Sequence, residues 1–187
     1  MKAEATAWAG RAPRVPQEWF RRRSRLHGPG HTCRVHVHAQ RLLGQLGWPA
    51  DDVDLALRAV LWHDIGRLGD GVEPGHGCSS AERADERGLS ANLAPADAAL
   101  VRFAIRRHSL ADRGAEDEAA RLAASQDQAR RLAQPERALR VLWLLKDADA
   151  LDRVRLGFGE RADPRRLRRP EAVELIPFAS ALFAVLT

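Results

Sequence analysis

Val60-Leu61-Trp62-His63-Asp64-Ile65-Gly66-Arg67 ends an apolar helical run on a histidine beside an aspartate, and this stretch decides how the chain is read. A carboxylate embedded in apolar sequence is costly unless it is paired or binds a metal. Neighbours on a helix point about 100° apart, so one His-Asp pair can offer an imidazole and a carboxylate to a shared centre. Working outward, His31 lies upstream, His76 and His108 lie downstream, and Asp149 sits in Lys146-Asp147-Ala148-Asp149-Ala150-Leu151-Asp152. The ordered set His31, His63, Asp64, His76, His108 and Asp149 supplies four imidazoles and two carboxylates. That donor set suits one or two divalent transition-metal ions (iron, manganese, cobalt, nickel or zinc) better than magnesium or calcium.

Around this set the pattern is helical and lacks the alternation of strands. Residues 1–15, rich in Ala, Arg and Pro, read as a flexible segment, and residues 16–26 as a short helix before the breaker His27-Gly28-Pro29-Gly30. A helix is expected over 31–46, ended by Gly47 and Pro49. A third, capped by Asp51 or Asp52, runs to His63-Asp64 with Val53, Leu57, Val60 and Leu61 at helical spacing. Residues 66–77 hold five glycines and one proline, a loop long enough to suggest function. Further helices are expected over 78–87, 95–108, 116–132 and 135–154, then a basic loop over 161–170. The apolar tail 171–187 should be helical on both sides of Pro177, closing the core or meeting a second copy in a homodimer. Every proposed ligand but Asp149 falls at or near a helix end, and ligands so spread can converge inside a bundle. The expected fold is therefore all-α, one domain over 16–187 with its motif-bearing core at 27–155 and a central metal site.

Composition narrows the partners. The 187 residues suffice for one core and are short for two. A net charge of +5 and an isoelectric point near 10.4 favour anionic partners, foremost a small phosphorylated substrate such as a nucleotide. The charge is dispersed, so a nucleic-acid face is the less favoured reading. There is no apolar run of membrane-spanning length and no secretory signal core, and Cys33 and Cys78 form no Cys-x-x-Cys pair. A membrane is not expected as a partner, and a cytoplasmic location is.

The motifs resemble those of the HD-domain metal-dependent phosphohydrolases. His31-Thr32-Cys33-Arg34-Val35 resembles the opening His-x-x-Arg-Val motif, Leu61-Trp62-His63-Asp64-Ile65-Gly66-Arg67 the His-Asp-Ile-Gly-Lys/Arg motif, and Ala148-Asp149-Ala150-Leu151 the closing Ala-Asp-x-Leu motif. The additional His76 and His108 resemble the subset with two metals. The resemblance favours Asp149 over Asp147, two residues away on the opposite side of the helix. It implies His31, His63 and Asp149 at one ion, Asp64 bridging, and His76 and His108 at the other. A water activated by the ions would attack a phosphate ester. Arg67 is the candidate to hold a phosphoryl oxygen, and so is counted with Asp64 as catalytic. Arg34 is a second substrate contact or else an ion pair to a neighbouring helix, and Asp152 a candidate to support the ligands. His27 is assigned to a turn, and His38, seven residues beyond His31, lies too far along the axis to share its centre. The sequence lacks the Gly-Tyr-Pro motif of the cyclic-dinucleotide phosphodiesterases and the elaboration of the alarmone hydrolases, which leaves the substrate open. A two-iron oxygenase of the same superfamily and a nucleotide-sensing module without turnover are the alternatives.

Overall fold

The computed structural model describes residues 1–128, 130–156 and 162–186. Helices α1 (Lys2–Ala9), α2 (Pro29–Leu46), α3 (Ala50–Trp62), α4 (His76–Glu86), α5 (Pro95–His108), α6 (Ala115–Ala123), α7 (Pro135–Leu151), α8 (Pro170–Glu174) and α9 (Ile176–Val185) build it, and there is no strand among the described residues. Proline opens α2, α5, α7 and α8, where its missing N–H costs nothing. α2 stops at Gly47, whose N–H bonds to Leu43 O.

The core gathers around α7. Its residues Val141, Leu142, Leu144, Leu145, Ala148 and Leu151 are buried, and it packs against α2, α3, α5 and α6. Polar ties fix its pitch: Asp52, in the first turn of α3, accepts hydrogen bonds from Arg137 and from Arg140 Nη2 at 3.0 Å. Asp52 was expected as a cap of α3; the helix begins instead at Ala50 without a side-chain cap, and Asp52 is spent on α7.

Other segments differ in how far they meet their expectations. The segment read as flexible carries α1, which lies on α9 with Ala5 fully buried. No α-helix forms over 16–26, only a 3-10 turn at Gln17–Trp19. Backbone donors there are used elsewhere: Arg21 N–H goes to Ile65 O and His27 N–H to Ser24 Oγ. The amphipathic run from 116 ends as helix at Ala123, because Ser125 Oγ accepts the Asp127 N–H and Leu132 folds back into the core, its N–H on Leu122 O. α7 ends at Leu151, short of 154, and tightens into a 3-10 turn over Asp152–Leu156. The tail is helical on both sides of Pro177 as expected, with α8 before it and Pro177 itself in the first turn of α9. In the basic loop, Arg161 lies outside the described residues; Pro164–Arg166 is a 3-10 turn. No helix among the described residues is long and apolar enough to cross a membrane.

Candidate metal centre

Five helix termini aim at one point. His31 is the third residue of α2, His63 follows α3, His76 opens α4 and His108 closes α5. Asp149 stands two residues from the end of α7, nearer its terminus than the sequence suggested. Two glycines let these ends approach. A Cβ on Gly77 would lie 2.4 Å from Ile105 O, so the start of α4 rests on the end of α5 and brings His76 to His108. A Cβ on Gly66 would lie 2.2 Å from Ser79 O, and Gly66 N–H bonds to Ser80 Oγ at 3.1 Å, seating the turn after His63-Asp64 on α4. Only glycine permits either contact.

Asp64 lies between two pairs of imidazoles. Its Oδ2 faces His31 Nε2 at 3.6 Å and His63 Nε2 at 3.7 Å; its Oδ1 faces His76 Nε2 at 3.2 Å and His108 Nε2 at 3.6 Å. Asp149 Oδ1 is 3.3 Å from His31 Nε2. Donor atoms of His31, His63 and Asp149 lie within 4.8 Å of one another, as do those of His63, Asp64 and His108.

The other ring nitrogens are committed. His63 Nδ1 bonds to Val60 O at 2.7 Å, His108 Nδ1 to Ile105 O at 2.6 Å, and His31 Nδ1 to Asp152 Oδ2 at 2.7 Å. With Nδ1–H donating, each neutral ring carries its lone pair on Nε2, the arrangement typical of metal-bound histidine. His76 Nδ1 is contested: it is 2.7 Å both from Glu73 O, to which it donates, and from Arg67 Nη1, from which it would accept. A cation at Nε2 selects the first tautomer. Nε2 then meets Nε2 at 2.9 Å between His76 and His108 and at 3.2 Å between His31 and His63, lone pair against lone pair. Asp64 Oδ1 is moreover buried without a hydrogen bond. Converging lone pairs and an unsatisfied buried carboxylate oxygen are what a bound cation relieves, so these residues fit divalent metal.

Protonation states agree. Burial would raise the pKa of Asp64, but His63, then His108, His27 and His76, hold it well below the usual carboxylate range. Burial also opposes ionisation of Asp149, and His31, His63 and Arg155 outweigh it, so its pKa too is lowered. Burial pushes His63 down to about 4, leaving it neutral near pH 7. At His31 burial and Arg155 act downward, yet Asp149 and Asp152 prevail and raise it. A metal would replace that proton between the same carboxylates.

Residues around the cluster divide sharply. Asp147, the rival of Asp149, is buried on the far side of α7, bonded to the Arg168 N–H at 2.9 Å and to Arg169 Nη1 at 3.3 Å. Arg34 is not directed at the opening; its Nε and Nη2 bond to Asp152 at 2.7 and 3.1 Å, so the expected substrate contact gives way to an ion pair. Asp152 thereby grips Arg34 and His31 together. Arg67 is buried in a cleft wall, Nη2 on Gly71 O at 2.7 Å and Nη1 on His76, and so braces the 66–75 loop. His36 and His38 are buried outside the cluster. His27, set aside as a turn residue, reaches Asp64: its Nδ1 is 2.9 Å from Oδ2, and with His31 and Asp64 it forms a further potential metal group. Its spacing of four residues from His31 was the available signal, masked by Gly28-Pro29-Gly30.

Two clefts meet at the cluster, both lined by His76, Ser109, Asp149 and Arg153. One, of about 480 Å³, runs toward Lys146 and the Pro164–Arg166 turn; the other, of about 430 Å³, toward His27, Arg67 and the 70–74 loop.

No curated protein and no solved structure matches the chain. The family model described as HD domain matches residues 30–154, which takes in all six converging residues. Its histidines and aspartates gather in an all-helical domain, and the chain belongs to the HD-domain superfamily of metal-dependent phosphohydrolases.

Proposed function

We propose that the chain hydrolyses a phosphate ester of a nucleotide or another small phosphorylated metabolite, using two divalent transition-metal ions. The observation that carries this reading is Asp64 itself, one oxygen toward His31 and His63 and the other toward His76 and His108. Under this reading His31, His63 and Asp149 hold one ion, His76 and His108 the other, and Asp64 both. When bound, the ions supply an activated water and neutralise charge on the phosphoryl oxygens.

The chain's own groups do the rest. Asp152 orients His31 through Nδ1, and the carbonyls of Val60 and Ile105 orient His63 and His108. His27 Nδ1–H donates to Asp64 Oδ2 and fixes the carboxylate plane. Arg155, whose Nε donates to Leu26 O at 2.8 Å and whose Nη2 lies 3.3 Å from His27 Nδ1, keeps positive charge beside the cluster. Arg67 and Arg155 line the smaller cleft, where their charge offsets that of Asp64 and Asp149.

The test is a screen of nucleotides and sugar phosphates for phosphate release by protein purified without chelators and supplemented singly with manganese, iron, cobalt, nickel or zinc. Release that needs metal and disappears in Asp64→Asn supports the reading. Absence of release from every phosphoester, with metal demonstrably bound, overturns it.

A further inference from the structure

The two clefts differ in charge. The larger is lined by five cationic side chains against the carboxylates of Asp112 and Asp149. The smaller has three cations against Asp64, Asp70, Glu73 and Asp149. Within the larger cleft several cations are already spent. Lys146 Nζ is 2.6 Å and Arg168 Nη2 2.7 Å from Asp112 Oδ1, and Arg165 pairs with Asp163 at 3.0 Å. The guanidinium groups of Arg153 and Arg166 remain, with no hydrogen bond or ion pair among the described residues.

Arg153 is the more telling. It is half-buried and lines both clefts, four residues after Asp149 and so about one turn along the chain from it. A guanidinium withdrawn from water with no partner among the described residues is costly, and nearby Arg34 and Arg155 both have carboxylate or carbonyl partners there. Arg166 stands across the same cleft on the Pro164–Arg166 turn. That turn is fixed to the body: Arg168, two residues on, donates to Asp147 Oδ1 at 3.1 Å and to Arg166 O at 2.9 Å. Arg166 is therefore carried by a tethered turn, its exposed guanidinium hydrogen-bonded to no described side chain.

Resting on the phosphohydrolase reading above, we propose that Arg153 and Arg166 form a subsite for a second phosphate group of the substrate, adjacent to the phosphoryl group that reacts. The substrate is then a phosphoanhydride or a bisphosphate in preference to a simple monoester. The less basic cleft, with exposed Val72 at its rim, receives the uncharged remainder. Planar guanidinium donors suit a tetrahedral oxyanion, and two of them distinguish two phosphates from one.

The experiment titrates inorganic pyrophosphate and orthophosphate separately into metal-loaded protein freed of excess metal, by calorimetry, for the wild type, Arg153→Ala, Arg166→Ala and Arg166→Glu. Arg106→Ala, on the exposed side of α5, is the control. Pyrophosphate should bind the wild type at least about tenfold more tightly than orthophosphate. That ratio should fall toward one in both alanine variants, fall further in Arg166→Glu, and persist in Arg106→Ala. Equal affinity for the two anions in the wild type, or a ratio unmoved in the Arg153 and Arg166 variants, overturns the subsite. Phosphate release from monoesters and from phosphoanhydrides is scored in parallel. Arginine-dependent pyrophosphate preference without any release keeps the subsite and removes the hydrolase; release without that preference does the reverse.

Discussion

Replacing Asp152 should damage stability and metal affinity together. The carboxylate is fully buried and accepts from His31 Nδ1 at 2.7 Å and from Arg34 Nε and Nη2 at 2.7 and 3.1 Å, with Arg155 Nη1 at 3.7 Å. Its pKa is lowered by His31 and Arg34 against the cost of burial, so it enters these contacts as an anion. Asp152→Asn keeps the shape but strands the Arg34 guanidinium, itself buried against the Phe183 ring. Breaking a buried pair in this way costs about 3–5 kcal/mol. In a domain of this size that lowers the melting temperature by about 6–20 °C. Loss of the partner that orients a metal-binding histidine weakens the ion by about 10–100-fold. Thermal unfolding and chelator competition, run on the same preparations, read the two effects. Arg34→Met combined with Asp152→Asn separates them: removing the stranded charge should restore part of the melting temperature and none of the metal affinity. Asp152→Asn with wild-type melting and wild-type affinity would refute the coupling of Arg34, Asp152 and His31.

Three further outcomes are expected. His76→Ala and His108→Ala should each bind one ion fewer while keeping the ion at His31, His63 and Asp149, measured by metal titration; unchanged stoichiometry removes the two-centre assignment. Arg67→Ala should lower kcat/KM by about tenfold or more, since it takes away both a cation beside the cluster and the brace on the 66–75 loop, and Arg67→Lys should recover only part. Acid should destabilise the protein through His36 and His38, which burial holds near a pKa of about 4. Their folded values lie below the unfolded 6.5, so the unfolded chain binds more protons between those limits. Stability is therefore full above pH 6.5 and falls toward pH 4, by about 3 kcal/mol or less per histidine. A His38→Gln variant should show a shallower acid limb in denaturant midpoints against pH, and an identical limb contradicts the assignment.

What the sequence disclosed was local. α5 reads correctly from Pro95 to His108 because a proline opens it and the apolar spacing runs unbroken to its end. His63 and Asp64 stand out because a histidine and a carboxylate interrupt apolar sequence. Long-range partnerships left no local trace. Asp152 was read as a support for the ligands and Arg34 as a substrate contact or one half of an ion pair, but that His31 and Arg34 meet on that one carboxylate, across 121 and 118 residues, was not readable. α1 was missed because its apolar contacts are to α9, at the other end of the chain, and its own amphipathic pattern is weak. α6 was overextended because charge pattern alone does not register a serine side chain that takes the next turn's N–H. Arg153 was within reach: four residues past Asp149, it shares a helical face by simple periodicity. His27 was hidden by the glycines and proline that bend the chain back over the site.

Under the proposed function, His31, His63, Asp64, His76, His108 and Asp149 form a two-metal centre. Elemental analysis of protein purified without chelators tests it most directly, with melting temperature followed as manganese, iron, cobalt, nickel or zinc is added back after chelation. The expected result is about two transition-metal ions per chain, lost together in Asp64→Asn, and a melting temperature that rises on reloading. Protein that carries no metal, and whose melting is unmoved by all five ions, would contradict it.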